Sequence, residues 1–153
     1  MAEAAGNATD PSAASDARFM RAALEAARRA LAAGEPPVGA CLVHGDEIVV
    51  TAANAVIGEL DTTAHAEIQV IRRACRELRR LDLAGCTLYV TVEPCRMCRS
   101  ACYYAGIGQV VFGAPIDAIT AVTGRELDAG SDEELPRLRG GCLEAESRAL
   151  IDA

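Results

Sequence analysis

The chain has no lysine and no tryptophan, and aromatic residues make up only 3% of its 153 positions. All fifteen basic side chains are therefore arginine. With so few large rings, a core must come from alanine, leucine, valine and isoleucine, in a composition that is 51% hydrophobic. Missing lysine beside abundant alanine matches the coding bias of a GC-rich genome and assigns no function. No apolar run approaches the ~18 residues that a spanning helix needs. The opening MAEAAGNATDPSAAS lacks the basic and apolar regions of a secretory signal. Residues 1–15 read as a disordered lead, residues 16–153 as a single domain, and the expected location is cytoplasmic with no membrane partner. A net charge of −7 disfavours a broad phosphate-tracking surface. A chain of this length buries roughly 68–70% of its unfolded surface, enough for one real core.

What the chain does have is seven cysteines. An odd number in a chain with cytosolic features points away from a disulfide framework and towards metal binding or catalysis. Around them the elements are short. Ser15 or Asp16 can cap a helix over ARFMRAALEAARRALAA, with Phe19, Met20, Ala23, Leu24, Ala27 and Leu31 on one side and Gly34 and Pro36-Pro37 as its stop. VGACLVH and EIVVTAA, separated by Gly45-Asp46, read as a β-hairpin. A loop, NAVIGELDTT, leads to AHAEIQVIRRACRELRR, where Ile68, Ile71, Cys75 and Leu78 recur at helical spacing. CTLYVTV, CRMCRSACYYAG and QVVFGA then form strand, helix and strand, a parallel βαβ unit. Beyond residue 115 the pattern weakens into an acidic, loop-like stretch and a short closing helix, LEAESRALID. The class is α/β, a mixed sheet covered by helices.

Two helix starts carry the chemistry. One holds His65 and Glu67; the other holds Cys95 and Cys98 directly after Pro94. Cysteines at i and i+3 share one side of a helix, and a first-turn position favours the thiolate that a metal needs. Helix starts that follow strands open at one edge of a sheet, so His65 can meet both sulfurs. One imidazole and two thiolates make three protein ligands, the set of a catalytic rather than a structural zinc site. Glu67, two residues from His65, is placed to move a proton without binding the metal. This H-x-E and P-C-x-x-C layout is the mark of zinc nucleobase deaminases. The competing readings are a redox dithiol, core packing, and a structural zinc closed by Cys86 or Cys102.

The run PPVGACLV, Asn54, TTAHAEI, TLYVTVEPCRMC and GIGQVVFGA, within residues 18–114, resembles the cytidine and deoxycytidylate deaminase-like superfamily. Within it, the likeness is nearest to the branch of bacterial tRNA adenosine deaminases, guanine deaminases and fungal-type cytosine deaminases. The resemblance implies a three-layer α-β-α fold with a five-stranded mixed sheet, usually a homodimer, and one Zn2+ per chain held by His65, Cys95 and Cys98. It also implies Glu67 as the catalytic proton carrier, with Asn54 and the Ala66 backbone N–H holding the base. The expected activity is hydrolytic release of ammonia from a small nucleobase, nucleoside or related heterocycle, with guanine, cytosine or a triazine-like ring foremost. The alternatives are a tRNA-specific adenosine deaminase and a zinc-stabilised interaction module without turnover. Nucleic acid is the less favoured partner, because residues 126–153 carry eight acidic and three basic side chains. The arginines at 72, 73, 76, 79 and 80 read as a solvated helix face, and His44 as a hairpin residue. The other five cysteines read as small core residues. Of Tyr103 and Tyr104 at most one should face the pocket, leaving the other for the core or a subunit contact.

Overall fold

The computed structural model describes residues 11–123, 136–139 and 141–152. Helix α1 (Pro11–Ala32) leads into a hairpin of β1 (Gly39–His44) and β2 (Glu47–Ala53). Next come α2 (Ala66–Leu78), β3 (Cys86–Val92), α3 (Arg96–Tyr104), β4 (Gln109–Ala114), α4 (Ile116–Thr123) and α5 (Glu144–Ile151). α1 opens at Pro11, whose fixed φ suits a first helical turn. Ser15 and Asp16 therefore lie inside the helix instead of capping it, and helix replaces the last part of the expected lead. Residues 1–10 fall outside the described residues. Among the described residues no helix is long and apolar enough to cross a membrane.

The strand order is β2-β1-β3-β4. β1 runs antiparallel to both β2 and β3, and β3 runs parallel to β4. The hairpin and the βαβ unit thus form as expected, and the sheet is mixed. The described residues supply four strands, however, not five. After α4 the next described stretch is Pro136, Arg137, Leu138 and Arg139, without regular structure. A proline and two arginines with no β-branched residue make a poor strand.

Side chains alternate along the strands, so each sheet face gathers its own cluster. Cys41, Val43 and Tyr89 pack with Phe19 and Ala23 of α1. Ala40, Leu42, Leu88 and Val90 face the other way, onto Ala66, Val70 and Ala74 of α2 and Cys102 of α3. Helices therefore cover both faces. The helical stripes sit differently from the expected ones. On α1, Leu24 and Leu31 are 39% and 63% exposed, while Ala26 and Ala30 are buried. A Cβ on Gly39 would overlap the Ala23 carbonyl oxygen and the Ala27 nitrogen. At Gly39 the helix thus lies so close to β1 that not even a methyl group fits on the strand side, with alanines opposite. On α2, Ala66, Glu67, Gln69, Val70 and Ala74 are buried, whereas Ile68, Ile71 and Cys75 are half-buried and Leu78 is exposed. Small residues on its inner face let α2 turn Glu67 inward. Of the remaining cysteines, Cys41, Cys86 and Cys102 are buried and Cys75 is half-buried. Cys142 is exposed and so is no core residue: it precedes α5, a helix that buries none of its side chains.

Candidate metal centre and cavity

Two strand-to-helix turns build the site. After β2 the chain loops to His65, the N-cap of α2, with extended backbone (φ −66°, ψ 155°) and no capping bond from its ring. After β3, Cys95 is the N-cap of α3 in nearly the same conformation (φ −67°, ψ 170°), again without a capping bond. Each side chain is left to point towards the other helix start. His65 Nδ1 lies 3.7 Å from Cys95 Sγ and 3.5 Å from Cys98 Sγ. The three donor atoms all lie within 4.8 Å of one another. Bonds of about 2.3 Å to sulfur and about 2.0–2.1 Å to nitrogen, at a tetrahedral angle, set sulfur and nitrogen about 3.6 Å apart. The spacing therefore fits one tetrahedral ion. Among the described residues no fourth His, Cys, Asp or Glu joins this group, neither Cys86 nor Cys102.

The ion-free group divides its protons unevenly, with Cys95 favoured as the thiolate. The Cys95 thiol is held down to about 4, chiefly by the hydrogen bond from Cys98, with the His65 contact adding to it against burial. The same bond, with burial, pushes Cys98 up. His65 is raised by its hydrogen bond to Cys95, opposed by burial and helped by the charges of Cys95 and Glu67. Glu67 is only 4% exposed, and burial pushes its carboxyl up. A carboxyl shifted that way comes nearer neutrality, where it can both take and return a proton.

A cavity of about 360 Å³ opens over this group, with His65, Glu67 and Cys95 in its lining. Asn54, Val56, Thr62 and Thr63 line it from the 54–65 loop, Val92 and Glu93 from the end of β3, and Ile119 and Thr123 from α4. Among the described residues no arginine lines it. Asn54 is 7% exposed, and its Oδ1 accepts the Val56 N–H at 3.1 Å. Ala66 is buried between two lining residues and does not itself line the cavity. As the first residue of α2, its N–H has no partner within the helix.

Residues 13–114 match the family described as cytidine and deoxycytidylate deaminase zinc-binding region. The chain belongs to this deaminase family. A tRNA-specific adenosine deaminase of Aquifex aeolicus (strain VF5) is 48% identical over 96 residues, covering 63% of this chain and 64% of the relative. The match thus spans just under two thirds of that protein's length. A tRNA-specific adenosine deaminase of Bacillus subtilis (strain 168) is 37% identical over 141 residues, 90% of this chain and 87% of the relative. The X-ray structure of guanine deaminase from Bacillus subtilis superposes with a TM-score of 0.75 at 30% identity, covering 88% of this chain and 91% of that one.

Within the deaminase domain, two features of the cavity escaped the sequence pattern. Glu93 lines the cavity while its Oε2 accepts the Ile116 N–H at 3.1 Å, which anchors the start of α4. α4 itself then supplies Ile119 and Thr123. An acidic residue followed by Pro and Cys was the available signal for the first; nothing marked the second. Tyr103 and Tyr104 are 80% and 84% exposed and line neither the core nor the cavity. Part of the α2 arginine run is tied to the protein's own surface. Arg72 pairs with Asp61 at 3.4 Å, Arg73 donates to the Thr51 carbonyl at 3.4 Å, and Arg80 reaches Cys86 Sγ at 3.9 Å.

Proposed function

We propose that the protein removes an exocyclic amine hydrolytically from a small nucleobase, nucleoside or related heterocycle, releasing ammonia. Guanine, cytosine or a triazine-like ring is the favoured substrate. The observation that carries this reading is Glu67, 4% exposed, beside a three-donor group in a cavity of about 360 Å³. Among the described lining residues there is no arginine, which favours an uncharged ring over a phosphate-bearing ligand.

In this reading His65, Cys95 and Cys98 are the zinc ligands. A zinc ion held by these three side chains would supply Lewis acidity, bringing a water towards ionisation near neutral pH. Glu67 accepts the proton of the attacking water and delivers it to the ring nitrogen beside the amine-bearing carbon. It then hands the second water proton to the amine. The carbon–oxygen bond has formed, the carbon–nitrogen bond breaks, and water has been exchanged for ammonia. Asn54 and the Ala66 N–H hold the ring edge during both transfers. Assembly as a homodimer belongs to the same proposal and is read by sedimentation.

A second reading, deamination of adenosine in tRNA, is favoured by the 48% identity to the Aquifex relative. Against it stand the eight acidic and three basic residues of 126–153. An ammonia-release screen over guanine, cytosine, adenosine and a tRNA anticodon stem-loop, at low and high salt, separates the two. Turnover of a free ring should change little with salt, whereas RNA binding weakens steeply. Release from the stem-loop alone selects the second reading, and release from no substrate overturns both in favour of a binding module.

A further inference from the structure

Glu35 is a buried carboxylate for which the proposed chemistry has no use. It is 8% exposed and lies in the short connection between α1 and β1, beside the cavity-lining Pro36. Its Oε2 accepts the Ile57 N–H at 2.9 Å and its Oε1 accepts the Gly58 N–H at 2.6 Å. None of the ion pairs among the described residues includes it. Removing a carboxylate from water without a cation is unfavourable, and here two backbone N–H groups of an irregular loop are set against that cost.

Those two donors sit in the middle of the loop that carries Asn54, Val56, Thr62 and Thr63 into the cavity. The other side-chain bonds of this loop are local or run to α2. Asn54 Oδ1 takes the Val56 N–H at 3.1 Å, Asp61 Oδ1 takes the Thr63 N–H at 2.8 Å, and Gln69 Nε2 donates to Glu59 at 2.8 Å. Glu35 is the side chain that ties the middle of the loop to the α1–β1 connection across from it.

We propose that Glu35 is a positioning residue for base recognition, clasping the loop in the shape that presents Asn54 and the two threonines to the substrate. This rests on the deaminase reading above. Glu35 acts through the loop and does not reach the reacting atoms. Its loss lowers the fraction of molecules with a binding-competent wall, and apparent affinity falls by that fraction. The proton carrier and the three donors ride on α2 and α3 and keep their places.

The test uses Glu35→Ala, Glu35→Gln and Gly58→Ala in the metal-loaded full chain. For the best ring found in the screen, Glu35→Ala should raise KM on the order of tenfold or more, with a smaller change in kcat. Zinc content should hold, and amide hydrogen exchange over residues 56–63 should quicken. Glu35→Gln keeps one acceptor oxygen and should fall between Glu35→Ala and wild type. Gly58→Ala sets a Cβ 3.1 Å from Glu35 Oε1 at an exposed position. It should raise KM in the same direction, and it carries the test if Glu35→Ala does not fold. Unchanged KM in the folded variants, unaltered loop exchange, or a loss of kcat or zinc that accounts for the defect overturns the clasp. A wild-type chain that releases ammonia from nothing sinks the deaminase reading instead, and base recognition with it. The two failures are therefore distinguishable.

Discussion

Replacing Glu67 with glutamine keeps the side-chain volume and removes the proposed proton carrier. In the proposed path this one group serves two transfers, from water to the ring and then to the amine. A positioned general acid–base contributes ~10²–10⁴ in rate, and at ~1.36 kcal/mol per decade that is ~2.7–5.4 kcal/mol of barrier. The side chain is 4% exposed, so bulk water has little access with which to replace it. The loss should therefore lie towards the upper end of that range. Glu67 is not in the donor group, so the variant should bind as much zinc as the wild type. Its cooperative unfolding should also persist, because an amide of equal size fills the same space. The assay pairs ammonia release with elemental analysis of zinc and a thermal melt on one preparation. A variant with more than a tenth of wild-type turnover refutes the role given to Glu67. A variant that has lost its metal refutes the division of labour between carboxylate and donors.

Three further outcomes are expected. Chelation should abolish turnover and lower the melting temperature, since a ligand held at 100 times its Kd adds ~2.7 kcal/mol, or about 5–10 °C for a chain of this size; an unmoved melt in chelator counts against a bound ion. Gly39→Ala should destabilise by about 1–3 kcal/mol or more, measured by urea unfolding, because its Cβ meets α1 backbone that cannot rotate away; a neutral effect would mean that α1 packs less closely. Tyr89 is raised from 10.0 to about 12, first by burial and then by its hydrogen bond to Asp16. Below pH 10 the phenol is neutral in both states and its contribution is whole; between 10 and 12 the unfolded chain ionises first, so stability falls. Tyr89→Phe should flatten that alkaline decline.

Short-range signals carried most of what was legible in the sequence. Gly45-Asp46 between two β-branched runs marked the hairpin, and Pro94-Cys95 after a buried strand marked a helix start. The rotation of the helices was hidden, because it depends on how near α1 comes to Gly39, a contact between backbones that no periodicity records. α4 was hidden for a different reason. Ile116, Ile119, Thr120, Val122 and Thr123 are β-branched and weak helix formers. Thr120 and Thr123 nevertheless return their hydroxyls to the carbonyls of Ile116 and Ile119, each at 3.2 Å. The pairing of Glu35 with residues 57 and 58 spans more than twenty positions and leaves no local trace.

The donors at 65, 95 and 98 stand on the starts of two helices that pack against each other. Packing between these helices thus fixes the two helix starts relative to each other, whatever ion the donors hold. Emptied of zinc, the cage should keep its shape, and cobalt(II) should enter without any refolding step. The visible absorption of a thiolate-bound tetrahedral cobalt would then make an otherwise colourless centre directly observable.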